Sequence, residues 1–413
     1  MILKSVLFRS DQRLGVLILV FLAVNMVAIF VARATNFNQI ILLSNAYFAV
    51  LTGIFILKDI LAIKAKTVLV LFGLVVLVFF TLSELGAYSR GIWVSLVSTI
   101  LFSKLFLVMY LARNLDPEIV SPFIKLGFFI YVLGIILNII FTDFFISLLR
   151  DTNFGVKTDR LVGFSLNANR CGAWAVAFAL YFWFVERRFF YVLICLTALL
   201  LTNSRSFILL APILFFYLSS MRYSFARSLL VLPLVAVPLI IFIVLFGDIG
   251  TTFGAAESTL DGQSRYIRIA MFSSGVQLAL DNFPFGAGGG TFGSSMSLGS
   301  PVYNVVGIAH WATVIDGTGI YDSGLGGLMG EYGFLGGFLA FLMAGIGFYF
   351  IGRRSLKGPD ILILLLVILY ISFFRNVFTD VFYSLIVMIL FLIILSVREG
   401  NRLNPKKKRM MLR

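Results

Sequence analysis

Residues 67–83 read Thr-Val-Leu-Val-Leu-Phe-Gly-Leu-Val-Val-Leu-Val-Phe-Phe-Thr-Leu-Ser, with no charge between Lys66 and Glu84. A helix that crosses a bilayer needs roughly 20 predominantly apolar residues, and this run supplies most of one. Similar stretches lie on either side of it, at 14–32, 40–57, 91–111, 123–147, 169–185, 189–202, 206–220, 228–247, 322–351, 360–374 and 378–396. Those at 189–202, 206–220 and 360–374 are short, as tilted, re-entrant or polar-ended helices are. The expected fold is an all-α polytopic membrane protein with about twelve transmembrane helices. Composition excludes the soluble alternative. Hydrophobic residues make up 60% of the chain, Phe alone contributes 45 residues, and the mean hydropathy is +1.03. Charged residues are 13%, about half the usual share. The stretch 14–32 lacks a small-residue cleavage site after a short apolar core, so it reads as a first span rather than a removed signal.

Charge sets the direction. With the N-terminus in the cytoplasm, the inside segments hold 21 of the 33 Lys and Arg residues and the outside segments hold 10. That excess is the one expected of cytoplasmic loops. The Lys406-Lys407-Lys408-Arg409 run then belongs to a cytoplasmic tail beside anionic membrane lipid. The net charge of +14 follows from that distribution and implies no nucleic-acid partner. The chain divides into nine spans over 1–247, an external loop over 248–321, three spans over 322–396 and a basic tail over 397–413. The loop holds 74 residues, a length usually reserved for functional or disordered segments. Its mixture of aromatic, apolar and Gly residues favours an ordered lid with short helices.

Four motifs face outward on this reading. The first is Gly163-Phe-Ser-Leu-Asn-Ala-Asn-Arg170. Its Asn167 and Asn169 suit helix capping and hydrogen bonding to sugar hydroxyls, with capping alone as the competing role. The second is Leu201-Thr-Asn-Ser-Arg-Ser206, a tight turn that holds Arg205 near membrane level. A guanidinium there is costly unless it binds an anion, and its planar fork matches phosphate. Snorkelling toward water is the competing role. The third runs from Ser264-Arg-Tyr-Ile-Arg268 to Asp281-Asn-Phe-Pro-Phe-Gly-Ala-Gly-Gly-Gly290. Residues 264–280 read as an amphipathic helix with Arg265 and Arg268 on one face, and a bridging pyrophosphate would relieve their repulsion. The glycines lack the Gly-Lys-Ser/Thr continuation of a nucleotide P-loop.

The fourth motif is Ile308-Ala-His310-Trp-Ala, followed by Gly319-Ile-Tyr-Asp322-Ser-Gly-Leu-Gly-Gly-Leu-Met-Gly-Glu331-Tyr-Gly-Phe-Leu-Gly336. Asp322 opens a span and suits either a cap or a general base. Glu331 lies about 13 Å further along the helix at 1.5 Å per residue, where a carboxylate must be paired or neutral. The chain has no external Asp-x-Asp and no His/Cys set with metal spacing, so neither a metal nor another cofactor is expected. Cys171 and Cys195 sit in apolar stretches and imply no disulfide framework.

Taken in order, these motifs resemble the O-antigen polymerase and ligase superfamily, the Wzy/WaaL group of polysaccharide-assembly enzymes. The shared series is Gly-Phe-x-x-Asn-x-Asn at 163–169, Thr-x-Ser-Arg-Ser at 202–206, the loop arginine followed by Asn-x-Pro-x-Gly-x-Gly at 282–288, and Asp-Ser-Gly to Gly-Glu-x-Gly-x-x-Gly at 322–336. The resemblance covers roughly residues 160–345 and implies a GT-C type glycosyltransferase of the bacterial cytoplasmic membrane, with its active site facing the periplasm. Its donor and acceptor would be saccharides on undecaprenyl pyrophosphate, and a chain-length regulator is a further candidate partner. Arg205 matches the family's Ser-Arg position, and Arg265 or Arg268 matches its loop arginine.

Ligases of the group carry His-Asn or His-Ser at the start of the span after the loop. Here Asp322-Ser323 stands there, with His310 twelve residues earlier. That difference favours a polymerase over a ligase acting on lipid A core. The expected mechanism is inverting. Arg205, Arg265 and Arg268 hold the donor pyrophosphate, and Asp322 or His310 takes the proton of the attacking hydroxyl. Arg170 lies at the same rim, and Tyr266, Trp311 and Tyr321 are candidates for stacking on sugar. A lipid-linked oligosaccharide flippase is the non-enzyme alternative, but it predicts internal repeats. None is visible between 1–206 and 207–413.

Overall fold

The computed structural model describes residues 66–112, 117–150, 161–223, 267–294, 296–315, 319–320, 323–352 and 355–403, with isolated positions at 30–31, 34–35, 228–229, 233, 235–237 and 317. The expected spans 14–32 and 40–57, most of 228–247 and the Lys/Arg run of the tail lie outside them. Among the described residues there is no strand. The helices are α1 Lys66–Leu85, α2 Ile92–Phe102, α3 Lys104–Ala112, α4 Pro117–Ile140, α5 Thr142–Arg150, α6 Ala168–Tyr181, α7 Phe189–Leu201, α8 Arg205–Arg222, α9 Ile267–Asp281, α10 Val302–Val305, α11 Ala312–Ile315, α12 Gly324–Ile351, α13 Gly358–Ser372 and α14 Val381–Leu403.

The protein is thus a helical one whose helices suit a membrane. Val120–Ile140 and Gly324–Ile351 are each long and apolar enough to cross it. Helices α2 and α3 together form a third candidate span, bent by 47°. Ser103 makes the bend. Its N–H is shared between the Thr99 and Ile100 carbonyls, and its hydroxyl donates back to Ile100 O at 2.8 Å. Such back-bonding bends helices. The stretch expected as one span over 123–147 is instead divided at Phe141, where the Thr142 hydroxyl donates to the carbonyls of Asn138 and Ile139.

The chain forms two compact units. One comprises Met1–Lys58, Leu111–Asp248 and Met388–Arg413, and the other comprises Asp59–Tyr110 and Ile249–Val387.

In the first unit α6 is the central helix. Residues Ala173–Tyr181 are buried on every side, the mark of a helix surrounded by protein. The alternating Ala173, Ala175, Ala177 and Ala179 let neighbours approach closely. Rings of Phe128, Phe178, Phe182 and Tyr191 fill the space beside it. The helix ends in a π-turn, Phe182–Glu186, closed by Arg187 in the left-handed region. In the 186–188 connection the Glu186 carboxylate meets Lys125 Nζ at 2.9 Å, the Ser121 hydroxyl at 2.9 Å and the Tyr181 hydroxyl at 3.0 Å.

Burial works against the Glu186 charge. The hydrogen bonds from Lys125, Ser121 and Tyr181, with the Lys125 charge, outweigh it and hold the carboxyl below its ordinary value. A carboxyl depressed on folding contributes stability that is fully present above its unfolded pKa and is lost as pH falls through the folded one. The unfolding temperature of the purified protein is expected to drop across that acidic window, with a shallower drop in Glu186→Gln. An identical slope in the variant would remove this cluster as the cause.

In the second unit α9 crosses α12 glycine on glycine. A Cβ at Gly275 would overlap the backbone of Gly326, and one at Gly330 would meet the Phe292 ring at 2.5 Å and Gly275 Cα at 3.3 Å. The buried face of α9 is Met271, Ser274, Gly275, Leu278 and Ala279, a helical period, so the helix expected over 264–280 is seen at 267–281. Helix α12 is broken at Gly333, with φ 67° and ψ −173°. The rings of Phe79, Phe102, Phe378 and Tyr332 pack together, and the Tyr332 hydroxyl is 3.0 Å from Ser98 Oγ.

Candidate functional site

The loop after α9 sits at the break in α12. Because Gly333 is not helical, the preceding carbonyls are open to other donors. Ala287 N donates to Gly330 O at 2.7 Å, Gly288 N donates to Glu331 O at 2.8 Å, and Leu335 N reaches Pro284 O at 3.4 Å. The end of α1 and its connection to α2 hold the loop's other edge. Tyr88 N donates to Ala287 O at 2.8 Å, and Gly289 N donates to Ser83 Oγ at 2.9 Å. Residues 286–294 are buried, so this part of the expected lid is interior to its unit.

Glu331 explains the glycines. Its side chain is 4% exposed, and Phe292 N donates to its Oε1 at 3.2 Å. The backbone N–H groups of Gly290 and Thr291 face the same carboxylate. The loop has the form of an anion cradle, and the group it holds is the protein's own Glu331 carboxyl. Glu331→Ala is expected to cost about 1–3 kcal/mol for each buried donor left unmade, read as a lower unfolding temperature. Glu331→Gln keeps the acceptor oxygen and should retain most of the difference. Equal unfolding of both variants and the parent would sink this account.

Helix α12 begins where two arginine-bearing segments meet. Ser323 is its N-cap, accepting from Gly326 N at 3.1 Å. On one side lies α9, since a Cβ at Gly326 would meet Met271 O and Phe272 Cα. On the other lies the turn after α13, since a Cβ at Gly324 would overlap Arg375 and Asn376. Arg268, one turn before Phe272, places its guanidinium carbon 5.9 Å from the centre of the Phe374 ring. Phe272 and Phe373 pack their rings at 5.7 Å. Arg268 and Arg375 are both half-buried. The Arg268 guanidinium, the backbone of the Arg375 turn and a capped helix start, which carries partial positive charge, thus share one end of the unit. Arg375 was seen in the sequence only as an outside charge. Its setting, Phe-Phe-Arg-Asn between two apolar runs, is the signal that would have singled it out.

Among the other expected residues of this unit, His310 is exposed, and the structure gives it no hydrogen bond or ion pair among the described residues. Trp311 is half-buried and packs against the core formed by Met271, Tyr303, Ile308 and Ile320, beside Ile267. That contact gives it a packing role. Arg265, Tyr266, Tyr321 and Asp322 lie outside the described residues.

The first two motifs meet in the other unit. Asn167 caps α6 by accepting from Arg170 N at 3.1 Å. Asn169 Oδ1 accepts from the Ser204 hydroxyl at 3.0 Å. A Cβ at Gly172 would meet Ser204 Cβ at 2.6 Å, so the helix and the turn 201–206 lie in direct contact. Leu161 N donates to Leu201 O at 3.2 Å. Arg170 is half-buried in the first turn of α6, and Arg205 is the first residue of α8.

Asn138, missed in the sequence, locks the approach. Its Oδ1 accepts from Val162 N at 2.9 Å and Gly163 N at 3.1 Å, with the side chain 3% exposed. A lone Asn within the otherwise apolar run 126–140 was its signal. Arg205 and Arg268 belong to different units.

No family model matches the chain, and no curated protein matches it.

Proposed function

We propose that the chain is an inverting glycosyltransferase that polymerises saccharide repeat units carried on undecaprenyl pyrophosphate, with twelve spans and its active site at the outer face of the bacterial cytoplasmic membrane. The observation that supports this reading best is the gathering of Arg268 and the Arg375 turn at the Ser323-capped start of α12. A diphosphate leaving group is the anion that such an end suits. Its charge builds as the glycosidic bond breaks, and preorganised donors stabilise it at no reorganisation cost. The acceptor hydroxyl oxygen attacks the anomeric carbon as the carrier diphosphate departs from the opposite face. The proton of that hydroxyl passes to Asp322, with His310 as the alternative base. Arg205, with Asn169 and Ser204 beside it in the chain's first two motifs, is the matching arginine of the first unit.

The deciding experiment is product analysis. Purified protein in liposomes is given defined undecaprenyl-pyrophosphate oligosaccharide and the products are sized. Chains of several repeats on the carrier are expected. Transfer of glycan only to a lipid A core acceptor would replace the polymerase by the ligase. Movement of intact carrier-linked glycan across the bilayer without a new glycosidic bond would replace the enzyme by a flippase.

A further inference from the structure

The cluster around the π-turn of the first unit is not used by the proposed reaction. Four cations gather about the π-turn there, two of them on one carboxylate. Lys125 Nζ is 2.9 Å from Glu186 Oε1, and Arg188 Nε is 3.9 Å from Glu186 Oε2. Arg222, the last residue of α8, donates from its guanidinium to Phe184 O at 2.8 Å, and Arg187 lies near enough to repel it. Arg188 also lies over the Tyr191 ring at 5.8 Å, and Arg222 lies over Tyr223 at the same distance.

Each partner fixes its cation. The carbonyl of Phe184 holds one edge of the Arg222 fork and leaves its other N–H groups to a second acceptor. The single carboxylate is shared between Lys125 and Arg188, so positive charge remains in excess among the described side chains. Arg187 and Arg188 are exposed.

The surroundings point to lipid. Phe189 is 57% exposed and Phe190 is 70% exposed. They open α7, whose thirteen residues carry no charge. Tyr223 is exposed at the end of α8. Aromatic side chains at the ends of apolar helices lie at headgroup depth. Basic pockets between such helices take up lipid phosphates, and guanidinium forks match phosphate oxygens in pairs.

We propose that Lys125, Arg187, Arg188 and Arg222, gathered at the end of the π-turn, bind the headgroup phosphate of an anionic glycerophospholipid. Glu186 holds Lys125 and Arg188 in place when the site is empty, and the Phe184 carbonyl holds Arg222. A zwitterionic headgroup brings its own ammonium into the excess positive charge and binds less well.

The test uses the full chain in detergent micelles, with phosphatidylglycerol, phosphatidylcholine or inorganic phosphate added at equal concentration. Unfolding temperature and lipid retention in native mass spectrometry are read together. Phosphatidylglycerol is expected to raise the unfolding temperature by about 3 °C and to remain bound, while the other two additives do neither. The double variant Arg187→Gln/Arg188→Gln changes only exposed side chains and should lose both effects while unfolding normally without lipid. Arg222→Gln is the weaker variant to use, because it also opens the Phe184 carbonyl. Equal responses to phosphatidylglycerol and phosphatidylcholine would overturn the proposal. So would an equal response to inorganic phosphate, or undiminished retention in the double variant.

Discussion

Gly333→Ala is expected to leave almost no folded protein in a detergent extract. The position has φ 67° and ψ −173°, a region essentially confined to glycine that costs any other residue about 1–3 kcal/mol. The added Cβ would overlap the Pro284 carbonyl and lie 2.7 Å from Gly286 N. Both are backbone atoms of the loop that hydrogen-bonds the break, so neither can swing aside as a side chain would. Strain and overlap together approach the whole stability of a domain, about 5–15 kcal/mol. Gly73→Ala is the matched control. It lies inside α1 with nothing within 4 Å of its Cβ, and it should gain about 0.5–1 kcal/mol from the better helix former. Size-exclusion profiles and unfolding midpoints of the two variants make the comparison. A Gly333→Ala protein that elutes and melts like its parent would show that the break is not needed.

Arg268→Lys is expected to reduce chain extension about 100-fold while leaving insertion and unfolding temperature unchanged. The charge is kept, but the planar fork is not. A guanidinium can rest over the Phe374 ring, as Arg268 does at 5.9 Å, and still present a pair of donors to a diphosphate. An ammonium can sit over a ring too, but as a compact point charge it lacks the planar fork that presents two donors at once. Reconstituted enzyme and a defined lipid-linked repeat give the rate. Undiminished polymer growth in the lysine variant would detach Arg268 from the reaction and leave the arginine end of α12 as a structural feature.

Much of the helix layout was legible because apolar runs carry it directly. The stretches 67–83, 189–202 and 206–220 became α1, α7 and α8 with shifts of only a few residues at their ends. The departures came from side chains that compete with the helix for its own carbonyls. Ser103 and Thr142 do so, and a hydropathy window passes over a lone hydroxyl.

At the site, the polar residues of the first two motifs stood out in the sequence, but their contact with one another did not. What fastens them, an Asn169–Ser204 hydrogen bond and the small Gly172, depends on a pairing of helices that linear spacing does not encode. The glycines of 286–290 were legible in the sequence only as lacking a P-loop's continuation. That the loop wraps Glu331, 39 residues beyond Phe292, appears only once the chain has folded back. Arg375 was hidden for the same reason, since it reaches the start of α12 through tertiary packing alone.

The break in α12 also has a consequence for hydrophobic matching. The helix has 28 residues, about 42 Å at 1.5 Å per residue, against a hydrocarbon layer of about 30 Å. A straight helix of that length would tilt strongly or thicken the bilayer around it. Its exposed apolar side chains are Leu335, Phe338, Leu342, Tyr349 and Phe350, all beyond Gly333. The segment suited to lipid is therefore 334–351, about 27 Å long, close to one bilayer thickness. The residues before the break are released from matching the membrane and are solvated by protein instead. A single helix can thus carry a glycine-rich half shaped for its neighbours and a greasy half shaped for the lipid, with neither constraining the other.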